Sequence, residues 1–143
     1  MREENTKDKV WSIVLIATAA MALLLGVIPG FFQVYDPDQK VYQACNFFNA
    51  PPSSIKSNFC PVLLVGIGYT LVLTICYLRS QALGTIKAIF VFSVAVLCLS
   101  ALALLPQNTV KPMPYSIMVV LWAVMSVLSF IRMKQEIARY DFD

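Results

Sequence analysis

The cysteines are the residues of this chain whose chemistry could define a function. There are four of them, and Cys45 and Cys60 flank a loop rich in Asn, Ser, Pro and Phe. Two thiols in such a loop could form a redox couple, hold a metal ion or make a structural disulfide. The sequence contains no histidine. A Ser-His-Asp triad, a histidine-bound haem and every zinc site that needs an imidazole are therefore excluded.

The spacing of these cysteines favours the disulfide. Thiol oxidoreductases work with a close C-x-x-C pair, whereas fourteen residues separate Cys45 from Cys60. Structural zinc needs four ligands at tight spacings. A disulfide that closes a loop of about 15 residues stabilises a protein by on the order of 3 kcal/mol in the chain-entropy model. We predict a Cys45–Cys60 disulfide, no metal and no cofactor, with Cys76 and Cys98 as free thiols in the apolar core.

The composition predicts that the elements positioning these cysteines are membrane helices. Of the 143 residues 59% are apolar and 13% charged, and the mean hydropathy is +0.72, whereas soluble domains are about a quarter charged. Four uncharged segments of about 18 or more residues could each cross a hydrocarbon core of about 30 Å. They are 10–32, 61–78, 88–105 and 114–131. Because backbone groups in lipid must be paired within the segment, we predict a single all-α domain over 1–143 with four transmembrane helices.

Basic residues are distributed unequally between the two ends of these helices. Eight of the 11 Lys and Arg residues lie in the two terminal segments and in 79–87, and three lie in 33–60 and 106–113. The positive-inside rule then predicts a multi-pass protein of the cell (cytoplasmic) membrane with both termini in the cytoplasm. The larger outer loop is 33–60, and a cytoplasmic tail covers 132–143.

The four helices also form two similar pairs. Arg79 follows Pro61 by 18 positions, and Arg132 follows Pro114 by the same spacing. This pattern predicts two tandem helical hairpins in the same orientation. A proline at the start of a helix and an arginine at the membrane edge are also common in unrelated membrane helices, which leaves the duplication open.

Polar groups within the four segments are hydroxyls rather than charges. They are Thr18, Tyr69, Thr70, Thr74, Ser93, Ser100, Ser126 and Ser129. Ser and Thr hydroxyls bond back to a carbonyl of their own helix, whereas transport paths are marked by ionisable groups in the membrane. A hydroxyl-lined pore formed by an oligomer is an alternative interpretation.

Aromatic residues outside the predicted spans are candidate contacts for a partner. Phe47, Phe48 and Phe59 lie in the outer loop, and Tyr140 and Phe142 lie in the tail. Apolar residues of this size in loops favour a docking surface. The tail, RMKQEIARYDFD, is predicted to continue the fourth helix beyond the membrane.

These features together predict a non-catalytic integral membrane protein. We expect an accessory or assembly subunit of a larger membrane complex, such as a transporter, in contact with the bilayer and with another membrane protein or a second copy. Nucleic acid is not expected as a partner, because there is no sustained basic patch. One alternative is a small transporter or channel that acts as a homo-oligomer. The other is a membrane thiol oxidoreductase.

Overall fold

The computed structural model describes residues 2–28, 32–36, 39–45, 59–102 and 112–142. The elements in chain order are α1 (Arg2–Val27), β1 (Phe32–Asp36), β2 (Val41–Cys45), α2 (Phe59–Ser80), α3 (Leu83–Leu102) and α4 (Pro112–Phe142). Each of the four helices is long and apolar enough to cross a membrane. The prediction of a multi-pass protein with four membrane-spanning helices is therefore confirmed at the level of length and composition.

The helices form a closed four-membered bundle. Each packs against its neighbour in the chain, and α4 also packs against α1. The core contains the large aromatic side chains Tyr77, Tyr115 and Trp122 together with the small residues Ala19 and Ala22, all at most 1% exposed. The outward faces are also apolar, with Val65 and Val120 at least 60% exposed. Helices that are apolar on all sides are typical of a bundle whose outer surface faces lipid.

The contact between α2 and α3 combines a close backbone approach with an aromatic pair. A Cβ added at Gly66 would lie 3.0 Å from Cγ2 of Val96, so this glycine lets α2 and α3 come close together. The rings of Tyr69 and Phe92 pack 4.8 Å apart between the same helices. Small residues have this role in membrane bundles because lipid provides no hydrophobic drive between helices.

A two-residue turn makes α2 and α3 antiparallel neighbours. Gln81 has a φ of 48°, and its backbone N–H donates to the carbonyl of Tyr77 at 2.9 Å. A left-handed residue at this position ends a helix by satisfying one of its last carbonyls. The next helix begins at once, because Ile86 N–H donates to the carbonyl of Ala82 at 3.2 Å.

The segment that follows the first helix differs from the prediction. The helix ends at Val27 rather than at residue 32, and β1 and β2 form an antiparallel hairpin in which Phe32 is opposite Cys45. The rings of Tyr35 and Tyr42 meet edge to face with centroids 5.4 Å apart. The bundle is all-helical, but the predicted outer loop thus contains a hairpin that the all-α prediction missed. Alternating aromatic and β-branched residues favour strands here.

The other helix boundaries also differ from the predicted segments, and α1 begins at Arg2 instead of residue 10. Helix α3 begins at Leu83 instead of 88, and α4 continues to Phe142. The prediction that the tail extends the fourth helix is therefore confirmed. Whether the two helical hairpins are a true duplication stays a prediction.

Candidate functional site

Ionisable side chains, most of them buried, contact one another at the end of the bundle where α1 begins and α2 ends. We call Asp8, Tyr77, Arg132, Glu136 and Arg139 the polar cluster. Arg132 is 1% exposed, Glu136 5% and Tyr77 fully buried. Charged residues are almost never buried to this extent unless they are paired. The partners of each group therefore decide what the polar cluster can do.

Arg132 is the centre of the polar cluster. Its Nε donates to the hydroxyl of Tyr77 at 2.8 Å, and its Nη2 donates to Oδ1 of Asp8, also at 2.8 Å. The same Nη2 contacts Oε1 of Glu136, and Nη1 donates to Oε1 of Gln135 at 3.3 Å. All three guanidinium nitrogens thus have an acceptor, the arrangement that makes arginine suitable for buried ion pairs.

A second arginine, Arg139, balances the remaining negative charge of the two carboxylates. Nη2 and Nη1 of Arg139 donate to the two carboxylate oxygens of Asp8 at 3.0 and 3.1 Å. Nη1 also lies 3.4 Å from Oε1 of Glu136. Two carboxylates thus face two guanidinium groups, and the formal charge of the polar cluster is zero. The bidentate geometry is the strong form of this interaction, and it joins the beginning of α1 to the end of α4.

Tyr77 extends these contacts to α2. Its hydroxyl accepts a hydrogen bond from Arg132 and lies 3.4 Å from Oε1 of Glu136, to which it donates. Beside it, Nε2 of Gln81 donates to Oγ of Ser12 at 2.9 Å, which connects the α2–α3 turn to α1. Side-chain hydrogen bonds therefore join α1, α2, α4 and the turn before α3 at one end of the bundle.

Helical spacing explains how α4 forms its part of the polar cluster. Arg132, Glu136 and Arg139 are at positions i, i+4 and i+7, which lie on one face of a helix. Sequence analysis assigned both arginines to the positive-inside count and assigned the tail to a candidate partner surface. It missed the polar cluster. The signal that could have revealed it is this spacing, combined with an acidic residue, Asp8, two positions before the first uncharged segment.

Mutual pairing limits the chemistry of the polar cluster. Each carboxylate and each guanidinium group has a partner of opposite charge within it. Fixed pairs of this kind hold helices in one arrangement, and removing a single partner would leave an uncompensated buried charge. The polar cluster therefore holds the beginning of α1 against the end of α4. We call this contact the clamp.

The predicted disulfide lies outside the described side chains. Cys45 is the last residue of β2 and Cys60 is the second residue of α2, and nothing is described of their side chains. The bond stays a prediction. Cys76 and Cys98 are free thiols, as predicted, but both are exposed on the outer surface of the bundle rather than in its core. That part of the prediction was wrong, because neither helix has a polar face that would have distinguished inside from outside in the sequence.

Of the five residues predicted to contact a partner, only Tyr140 has a described side chain. Phe47 and Phe48 lie outside the described residues, and the side chains of Phe59 and Phe142, at the beginning of α2 and the end of α4, are not described either. Tyr140 is on α4 and is 60% exposed. Its predicted contact with a partner stays a prediction.

Most of the predicted hydroxyl groups face the interior of the bundle. Buried hydroxyls are found at Thr70, Thr74, Ser93, Ser100, Ser126 and Ser129, whereas Tyr69 is 50% exposed. Ser93 donates to the carbonyl of Ile89 at 2.7 Å, and Thr70 donates to that of Gly66 at 2.8 Å. This confirms the predicted back-bonding at Ser93 and Thr70, whereas the hydroxyl of Ser100 makes no such bond. A pore between copies of the chain would not be lined by these groups.

Buried side-chain polar atoms without a hydrogen-bond partner among the described residues include Oε1 of Gln81 in the α2–α3 turn, Oγ of Ser100 on α3 and Nε1 of Trp122 on α4. Buried polar atoms normally have a partner in the protein or an ordered water. Ser100 and Trp122 are both buried in the interior of the bundle.

Comparison of the chain with protein-family models, with curated protein sequences and with solved structures gives no match. The chemistry of its own residues is thus the basis for any functional assignment.

Proposed function

We propose that this chain is a non-catalytic integral membrane protein that binds another membrane protein, as an accessory or assembly subunit of a larger complex. The observation that supports this proposal is the clamp on α4. The helix continues for 11 residues beyond Ile131, the end of its uncharged segment, a length of about 16 Å. The polar cluster holds this extension against α1, so the extension has a fixed position. We call residues 132–142 the platform.

The platform has two different faces. Arg139 binds Asp8 of α1, and Glu136 binds Arg132 and Arg139, whereas Lys134, Ala138 and Tyr140 are exposed. An exposed tyrosine on a held helix is the type of residue that dominates interfaces. A surface that is already ordered also loses less conformational entropy when a partner binds. These two properties make the exposed face of the extension the preferred docking surface.

The distribution of basic residues supports one orientation of the chain in the membrane. Both termini, the polar cluster and the exposed face of α4 lie on the cytoplasmic side of the cell membrane. The β-hairpin and the predicted Cys45–Cys60 disulfide lie on the opposite side, where disulfides persist. Partner contacts on that side would involve the loop phenylalanines.

Site-specific photo-crosslinking tests the proposed surface. A photoreactive residue is placed at position 140 or, as a control, at position 69, where Tyr69 is 50% exposed on α2. We expect one abundant crosslinked membrane protein from position 140 only. Tyr140→Ala should reduce the amount of that protein that co-purifies in mild detergent by at least about fivefold, the effect of losing more than 1 kcal/mol. Tyr69→Ala should not change it.

A stable homo-oligomer with no other protein bound would contradict the proposal. So would equal crosslinking from both positions, because it would show that the partner has no preference for the exposed face of the extension.

A second candidate function is that of a small transporter. The observation that favours it is the pair of unpartnered polar atoms, Ser100 Oγ and Trp122 Nε1, among buried hydroxyls. Purified protein in vesicles that contain a pH-sensitive or ion-sensitive dye tests it. Flux that depends on the protein and decreases with Trp122→Phe would favour the transporter. We expect no flux above that of empty vesicles.

A further inference from the structure

A groove runs along the outer surface of the bundle between α1 and α4. It encloses about 410 Å³ and is lined by Val10, Trp11, Val14 and Leu128, with Thr6 and Lys7 at one end. A second hollow of about 300 Å³ continues it along α4, because both share Leu128. The other residues lining this hollow are Val120, Ala123, Val124 and Val127. The surface is thus apolar along its length and cationic at one end.

The length of the groove fits the acyl chain of a lipid. From Leu128 to Val120 the α4 part covers eight residues, about 12 Å, and the α1 part from Val14 to Lys7 covers seven, about 10 Å. The two parts overlap at Leu128. Half of a hydrocarbon core is about 15 Å thick. The groove is therefore long enough to hold a chain from the membrane surface to near the midplane.

The cationic end of the groove fits an anionic headgroup. Lys7 is exposed, and the acidic residue next to it, Asp8, is already paired with Arg132 and Arg139. The ammonium group of Lys7 is therefore not neutralised by this carboxylate. Trp11 lies one helical turn further into the apolar part, at the depth where indole rings mark the membrane interface.

From these observations we infer that the α1–α4 groove binds an anionic phospholipid. The acyl chain lies along Val10, Val14 and Leu128, and Lys7 binds the phosphate of the headgroup. A long lysine side chain that lies along apolar surface with its charge at the membrane surface is well suited to this role. This site is independent of the proposed docking surface, which lies on the exposed face of the α4 extension.

The two tryptophans make the site measurable. Trp11 lines the groove, whereas Trp122 is fully buried in the core and serves as an internal reference. The full chain is reconstituted in phosphatidylcholine vesicles that contain phosphatidylglycerol, with bromine on the acyl chains of one lipid or the other. Brominated phosphatidylglycerol should quench Trp11 more than the same mole fraction of brominated phosphatidylcholine. The Trp11→Phe variant should lose this difference.

A matched pair of lysine variants tests the headgroup contact. Lys7→Ala should reduce the association of phosphatidylglycerol relative to phosphatidylcholine by about fivefold, the contribution of one basic residue near an anionic surface. Lys9→Ala removes the same charge from the same turn of α1, and Lys9 does not line the groove. It should leave the ratio close to that of the wild type.

Equal quenching of Trp11 by the two brominated lipids in the wild-type protein would overturn the inference without any variant. An equal effect of Lys7→Ala and Lys9→Ala would also overturn it, since it would show a general effect of surface charge. Unchanged emission from Trp122 confirms that each variant is folded.

Discussion

The polar cluster predicts a large effect of a single substitution at its centre. Arg132→Met keeps an unbranched aliphatic side chain but removes its charge and hydrogen bonds. The formal charge of the polar cluster changes from zero to −1, and Tyr77 loses its charged donor at 2.8 Å. Breaking a buried ion pair by removing one partner costs about 3–5 kcal/mol. Because Arg139 still contacts both carboxylates, we expect the lower end of this range, about 3 kcal/mol.

A double substitution distinguishes the loss of a charge partner from the loss of packing. Arg132→Met combined with Glu136→Met returns the formal charge to zero and leaves the Asp8–Arg139 pair, at 3.0 and 3.1 Å, in place. Replacing both members of a buried pair by apolar residues is often neutral or even stabilising. We therefore expect the double variant to recover about 2 kcal/mol of the stability that the single variant loses.

Equilibrium unfolding in detergent measures these differences. The purified protein is titrated from a mild detergent into increasing fractions of a denaturing one, and unfolding is followed by the fluorescence of buried Trp122. Arg79→Met is the control, because Arg79 is an exposed basic residue at the end of α2. It should unfold close to the wild type. An Arg132→Met variant within about 1 kcal/mol of the wild type would refute the reasoning, since such an effect is typical of exposed ion pairs. A double variant less stable than the single one would refute it as well.

Three further measurements test other parts of the structure. Tyr77→Phe leaves Nε of Arg132 without its acceptor and should lower the free energy of unfolding by about 1–3 kcal/mol in the same titration. Gly66→Ala should be less stable than Gly68→Ala by about 1 kcal/mol, because a Cβ at Gly66 would meet a methyl group of α3 at 3.0 Å and one at Gly68 would meet nothing within 4 Å. Equal stability of the two variants would show that α2 and α3 do not approach closely there. Thiol labelling of native membranes should modify the two cysteines that flank the outer loop only after reduction, and labelling without reductant would contradict the disulfide.

The existence of the four helices could be predicted from the sequence because it depends on a local property. A segment of about 20 uncharged residues must form a helix if it crosses lipid, and this argument needs no knowledge of the fold. The same criterion fails at the helix ends. Charges at Lys7 and Asp8 exclude these residues from an uncharged segment but do not end a helix, so α1 begins at Arg2. In α1 the criterion also extended the helix through Phe32, which belongs to β1.

The polar cluster could not be predicted in this way because its members are far apart in the chain. Asp8 and Arg132 are separated by 124 positions, and Tyr77 and Arg132 by 55. Their contact requires that the beginning of α1 and the ends of α2 and α4 lie at the same end of the bundle. A tail with mixed charges is usually a solvated helix end, and the sequence does not reveal that one of its faces is covered by α1. Only the arrangement of the helices decides this.

The position of Arg132 connects insertion into the membrane with the folded state. The positive-inside rule counts Lys and Arg near the ends of helices and is not a rule about net charge. In the orientation proposed above, Arg132 and Arg139 are therefore counted by this rule, even though both are paired with carboxylates in the folded bundle. Once the helices associate, the same guanidinium groups join α1 to α4. In the orientation proposed above, the same two arginines count towards the cytoplasmic excess of basic residues and, in the folded bundle, hold the α4 extension against α1.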